Sequence, residues 1–213
     1  MTLIDRLRLM VLADTAVLRG RDPVPVCRAA VSGGATLVQL RAKDESPREA
    51  AAIARVLVAA LPVPVIVNDR VDVALVAAAA GAHLGQDDVP LDALRLQVPG
   101  GFLLGISVGS DREADRARHW PADYWSIGPC YATGNKVDAG PLLGAAGFAA
   151  LARLAPAGVP VIGIGGITAG NAAPLVAAGA AGVAVIGAVL GAGDPAAAAR
   201  ALRAAVDGPS RSP

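Results

Sequence analysis

Short runs rich in Val, Ile and Leu recur along the chain. They are LRLMVLA from Leu7, ATLVQL from Ala35, PVIVN from Pro64 and GAHLG from Gly81, then FLLGISV from Phe102, YWSIG from Tyr124, PVIGIGG from Pro160 and GVAVIGAV from Gly182. Their nearly unbroken apolar character suits strands covered on both faces, as in a parallel sheet. Between them lie Ala-, Leu- and Arg-rich segments with helical spacing, such as SPREAAAIARVLVAAL from Ser46 and DPAAAARALRAAV from Asp194. Ser46-Pro47 and Asp194-Pro195 set a capping side chain ahead of a proline in the first helical turn, and Glu49 completes a capping box with Ser46. Eight strand–helix pairs in 213 residues leave about 27 residues for each, close to the smallest practical unit. Closing eight parallel strands into a barrel removes both sheet edges. An open doubly wound sheet would give the same alternation, but no G-x-G-x-x-G opens the first helix. The pattern predicts an α/β fold, a single (β/α)8 TIM barrel over residues 1–213, frayed near Met1 and in the tail 208–213.

Composition narrows the partners. A hydrophobic fraction of 54% against 17% charged residues suits a buried core and excludes a disordered chain. A net charge of +1 and a pI near 7.8 provide no electrostatic footprint for nucleic acid or an anionic membrane. Aromatic residues at 3% also argue against base-stacking platforms, so small-molecule substrates are expected. Cys27 and Cys130 are too few for a disulfide scaffold or a four-cysteine zinc site, which points to a reduced, cytoplasmic chain. Asp5, Arg6 and Arg8 interrupt the apolar residues of the N-terminus, against a signal peptide. Residues 154–193 carry no charge and are long enough to span a membrane, but Pro156, Pro160 and Pro174 cut them into short pieces. Those pieces read as buried strands with an intervening helix. An Ala-rich barrel also leaves room for homo-oligomerisation through an apolar helix face.

Polar residues stand where a barrel should be apolar. In Val38-Gln39-Leu40-Arg41-Ala42-Lys43, side chains alternate with period two. If Val38 and Leu40 face the helices, Gln39, Arg41 and Lys43 point into the barrel or its upper mouth. An unpaired cation there is costly, so the set calls for anions: a bound polyanion, or carboxylates on the neighbouring strand. The third run ends in Asn68-Asp69-Arg70 and the fourth in His83-Leu84-Gly85-Gln86-Asp87-Asp88. Carboxylates at adjacent strand ends suit Mg2+ held by one or two carboxylates and phosphate oxygens. The alternative is that Asp69 caps a helix near Arg70, and Asp87 or Asp88 one near Pro90. Across the barrel, Gly163-Ile164-Gly165-Gly166-Ile167 follows the seventh strand and Gly187 lies late in the eighth. Loops after these strands are the usual barrel phosphate site, although glycines there also serve tight packing. Ser107, ending LLGIS, and Lys136, in YATGNK, face the same mouth if the register holds.

In this order, VQLRAK, VNDRVDVAL, GAHLGQDD, LLGIS, GPCYATGNK, PVIGIGGI and GVAVIGAV resemble the thiamine-phosphate synthase family, from Ala35 to the last helix. The resemblance implies a (β/α)8 barrel that couples 4-amino-2-methyl-5-(diphosphooxymethyl)pyrimidine to a thiazole ethyl phosphate, usually carboxylated. Diphosphate leaves with the help of Mg2+, and thiamine monophosphate forms. By matching motif, Gln39, Arg41, Lys43, Asn68, Ser107 and Lys136 would contact the diphosphate, and Asp69 and Asp88 would hold Mg2+. His83 would sit near the pyrimidine, although a packed strand histidine is an equally ordinary reading. Thr133, Gly166, Ile186 and Gly187 would line the thiazole phosphate pocket.

The chain departs from the family pattern at three places. The first strand usually carries an aromatic near its start, where this chain reads Arg8-Leu9-Met10-Val11. The usual Thr-x-Thr-Lys is Thr133-Gly134-Asn135-Lys136, in which Asn135 keeps a donor and an acceptor for phosphate. A serine near the end of strand eight is replaced by Gly187. Two other functions share the barrel: a thiazole tautomerase, which needs a positioned acid or base and generally lacks the HLGQDD ending, and a non-catalytic thiamine-pathway ligand-binding homologue.

Overall fold

In a computed structural model, which describes residues 1–134 and 141–208, eight parallel strands close into a barrel in sequence order. The strands are β1 (Leu9–Asp14), β2 (Leu37–Arg41), β3 (Val65–Asn68), β4 (Gly81–Leu84), β5 (Leu103–Val108), β6 (Tyr124–Ile127), β7 (Val161–Ile164) and β8 (Gly182–Val185). β8 pairs back onto β1 through Leu9↔Val183, Met10↔Ala184 and Val11↔Val185, which leaves no open edge. The predicted caps are present. Ser46 and Glu49 form a capping box at the helix Pro47–Ala60, and Asp194 accepts from the N–H groups of Ala196 and Ala197 at Pro195–Asp207.

Alternation divides each strand between two cores. Val38 and Leu40 join the large cluster between barrel and helices, while Met10, Leu12, Leu37, Ile66, Tyr124, Ile162 and Ala184 fill the barrel interior. Tyr124 supplies a ring at the centre of a barrel whose first strand has none. Its room comes from Gly105, the neighbouring residue on β5, where a Cβ would overlap the Tyr124 ring. At the opposite end from the strand C-termini, Arg8 bonds to Asp207 and to the carbonyls of Ala181 and Val206. The departure from the family pattern at Arg8 therefore lies at the barrel floor, where it ties the last helix to the first strand, and away from the mouth.

Two elements differ from expectation. The segment after Met1 is not frayed: Leu3–Leu7 form a short helix, with Thr2 and Asp5 in a capping box. Gly187 is not late in the eighth strand: β8 ends at Val185, and Gly187 is the first residue of a short helix, Gly187–Leu190. The chain turns at Ile186, with φ −117° and ψ −85°. GVAVIGAV reads as one strand because a buried helix and a buried strand draw on the same apolar residues, which periodicity alone does not separate.

Gly105→Ala should lower the unfolding free energy by roughly 1–3 kcal/mol through overpacking against Tyr124. Chemical denaturation followed by far-UV circular dichroism checks this, and an unchanged midpoint would contradict the packing.

Candidate active site

The strand C-termini open into a cavity of about 830 Å3. Arg41, the last residue of β2, stands in register with Asp14, the last of β1. Its Nη1 donates to Asp14 Oδ2, and the Asp14 side chain is only 3% exposed. The other Asp14 oxygen accepts the Val17 N–H and caps the helix Thr15–Leu18, so the carboxylate is fixed from two sides. The ion pair with a neighbouring strand, expected as one alternative, is present, and Arg41 still lines the cavity. The sequence reading missed Asp14. Its signal was a carboxylate closing the apolar run LMVLAD. Lys43 lies past the end of β2, half exposed, with Nζ 3.2 Å from Asp69 Oδ2.

Neither acidic strand end caps a helix. Val71–Val76 follows Arg70 and Leu91–Arg95 follows Pro90, both without a side-chain cap. Asp69 instead adopts a left-handed backbone, φ 61°, fixed by Asp69 N–H to the His83 carbonyl and Arg70 N–H to the Asn68 carbonyl, both 2.7 Å. Such a conformation costs about 1 kcal/mol or more and tends to occur where function requires it. Here it places the Asp69 carboxyl near that of Asp88, on the same stretch of cavity wall. Asp88 Oδ2 accepts the Gly85 N–H at 2.6 Å. Burial raises the Asp88 pKa, and the nearby Asp69 raises it further, against opposing effects of Gly85 and Lys43. Two carboxyls drawn together beside one lysine form a donor set that a hard cation would satisfy. Among the described residues no cluster of three or more His, Cys, Asp or Glu could enclose a metal, so a cation held by this pair would need waters or ligand oxygens to complete its shell.

Below the rim, Gln39 is buried, its amide nitrogen 3.3 Å from Met10 Sδ, and Asn68 lines the cavity wall. Ser107 Oγ lies 3.0 Å from His83 Nε2, and His83 Nδ1 lies 2.8 Å from the Tyr124 hydroxyl. His83 is thus neither loose packing nor a free base but the middle of a hydrogen-bonded chain. Burial pushes its pKa down from 6.5 to about 4, so the ring is neutral at pH 7. Two further cavity residues went unnoticed in sequence: Gln86, whose amide donates to the Ser107 carbonyl at 2.7 Å, and Glu113, which accepts the Gly109 N–H at 2.6 Å. Gln86 sits in a polar loop that gives no periodic signal, and Glu113 is an acidic residue in the first turn of the helix Asp111–Ala117, where a carboxylate is ordinary.

On the opposite wall the cavity meets Thr133, Gly166, Ile186 and Gly187. Gly166, with φ +63°, packs so closely on the backbone of Tyr131 and Ala132 that a Cβ would overlap both. Tight packing is therefore one reason for glycine at this position. Asn135 and Lys136 lie outside the described residues.

Similarity to known proteins agrees with this geometry. The family model described as thiamine monophosphate synthase matches residues 9–189. The chain belongs to that family. A thiamine-phosphate synthase of Methanoculleus marisnigri is 48% identical over 199 residues, covering 92% of this chain and 93% of its own. One from Roseiflexus castenholzii is 46% identical, covering 90% and 85%. The solved thiamine phosphate pyrophosphorylase from Pyrococcus furiosus superposes with a TM-score of 0.85 at 35% identity, over 97% of this chain and 98% of that one. As a member of the thiamine monophosphate synthase family, the chain is an enzyme, a transferase of thiamine biosynthesis.

Because the folded His83 binds its proton more weakly than the unfolded chain does, it destabilises the fold as pH falls from about 6.5 to about 4 and has no effect above that window. The loss should reach roughly 3 kcal/mol. Urea unfolding at several pH values should show a shallower acid decline in His83→Gln than in the parent, and identical declines would contradict the burial argument.

Proposed function

We propose that this site couples the pyrimidine methyl diphosphate to the thiazole phosphate by a dissociative displacement. The observation that carries the reading is the convergence of Arg41, Lys43, Ser107, Asp69 and Asp88 on one cavity mouth. Arg41 and Lys43 bind the diphosphate as fork and point charge. Gln39 and Asn68 add amide donors, and Ser107 a hydroxyl. Asp69 and Asp88 are the residues to hold Mg2+, which when bound supplies positive charge to the departing diphosphate. Lys136 is assigned to the same diphosphate and Asn135 to the thiazole phosphate by family resemblance.

The bond from the pyrimidine methylene to oxygen breaks with its electron pair passing to diphosphate. The electron-rich aminopyrimidine stabilises the cationic fragment, and the thiazole nitrogen lone pair then forms the new carbon–nitrogen bond. No enzymic nucleophile or strong base is called for, in keeping with a neutral His83. The apolar Leu12, Ile164 and Ala184 at the cavity base limit water beside the cation. On the far wall, Thr133, Gly166, Ile186 and Gly187 receive the thiazole phosphate, the two glycines through backbone N–H groups only. Catalysis rests on charge stabilisation and positioning. Two buried free cysteines agree with a reducing cytoplasm.

Single-turnover coupling, read as diphosphate release with and without Mg2+, tests the proposal. Arg41→Ala and Asp69→Ala should each lose about 100- to 1000-fold. Near-normal rates in both variants, or turnover indifferent to Mg2+, would overturn it.

A further inference from the structure

The buried chain Tyr124–His83–Ser107 has a direction. A neutral imidazole has one donor and one acceptor nitrogen, so its two neighbours must play opposite parts. Tyr124 is fully buried, and burial raises its pKa, so the phenol keeps its proton. Among the described residues, the only hydrogen-bond partner of that hydroxyl is His83 Nδ1, at 2.8 Å. The phenol therefore donates to Nδ1. The ring proton is then on Nε2, which faces Ser107 Oγ at 3.0 Å and donates to it. With the Ser107 oxygen already accepting from within the protein, its own O–H is turned to the cavity that Ser107 lines. The reverse polarity would leave a buried phenol proton with no acceptor.

We infer that Tyr124 is a positioning residue: acting through His83, it fixes the Ser107 hydroxyl as a hydrogen-bond donor aimed at the bound diphosphate. Such a donor is matched to an anion, whereas a serine donating to the histidine would present only lone pairs to it. Gly105 belongs to the same device, because a side chain there would expel the Tyr124 ring. The inference rests on the proposed role of Ser107 as a diphosphate contact.

Two measurements test it. Long-range proton–nitrogen correlation spectra of the unmodified enzyme read the tautomer of His83 directly, aided by a histidine count of 2. The expected form carries its proton on Nε2, with an unprotonated Nδ1 accepting a hydrogen bond. In Tyr124→Phe that preference should be lost or mixed, and the rate of diphosphate release should fall on the order of 10-fold at saturating substrate. In a Ser107→Ala background, the same Tyr124→Phe change should have little further effect, since both act through one hydroxyl. A proton found on Nδ1 in the unmodified enzyme would overturn the inference without touching the proposed reaction, and so would full activity in Tyr124→Phe. An undiminished Tyr124→Phe effect in the Ser107→Ala background would overturn the route through Ser107. Full activity in Ser107→Ala, with the Nε2 proton retained, would remove Ser107 from diphosphate binding and this role with it.

Discussion

Charges at the rim of an apolar barrel must be compensated, and the organisation of this cavity follows from that requirement. Eight parallel strands bring their C-terminal ends to one mouth, where Arg41, Lys43, Asp69 and Asp88 lie over a packed hydrocarbon interior. The less exposed of these groups, Arg41 and Asp69, carry a desolvation cost that a partner offsets. The protein meets part of the demand itself. Asp14 takes one edge of Arg41, and Lys43 reaches Asp69, whose carboxyl lies near that of Asp88. The remaining imbalance is the means of recognition. In the proposed reaction, the two neighbouring carboxyls would hold a divalent cation, and the fork and point charge beside them would bind phosphate oxygens.

The interior beneath the rim serves the same end. Tyr124 fills the middle of the barrel, and its one polar atom bonds to His83. His83 stays neutral through burial. It contributes no charge to compete with the diphosphate's cationic partners, yet fixes a hydroxyl at their edge. The opposite wall carries no charged side chain in residues 154–193 and relies on glycines whose backbones approach neighbours closely. Cationic groups thus cluster on the side assigned to the leaving group.

Much of this was legible in the chain, for identifiable reasons. The barrel could be read because parallel strands buried on both faces produce bounded apolar runs, and because Ser46 and Asp194 mark helix starts. Period-two alternation correctly separated Val38 and Leu40 from Gln39 and Arg41. Gly187 was misassigned because strand β8 and the following buried helix share one apolar vocabulary. Asp14 was overlooked because its meaning depends on register: only the pairing of β1 with β2 sets it opposite Arg41. The Tyr124–His83–Ser107 chain links three strands and has no expression in local sequence. The left-handed backbone of Asp69 is likewise a tertiary result, fixed by a hydrogen bond to His83 across the sheet.

The central claim is that the acids ending β3 and β4 and the cations ending β2 act on one polyphosphate through a shared cation. Calorimetric titration of inorganic diphosphate, with and without Mg2+, measures that coupling directly. The account predicts that Mg2+ tightens diphosphate binding on the order of 10- to 100-fold in the parent enzyme, and that Asp69→Asn removes most of this gain. Equal affinity with and without Mg2+, or an undiminished gain in Asp69→Asn, would contradict it.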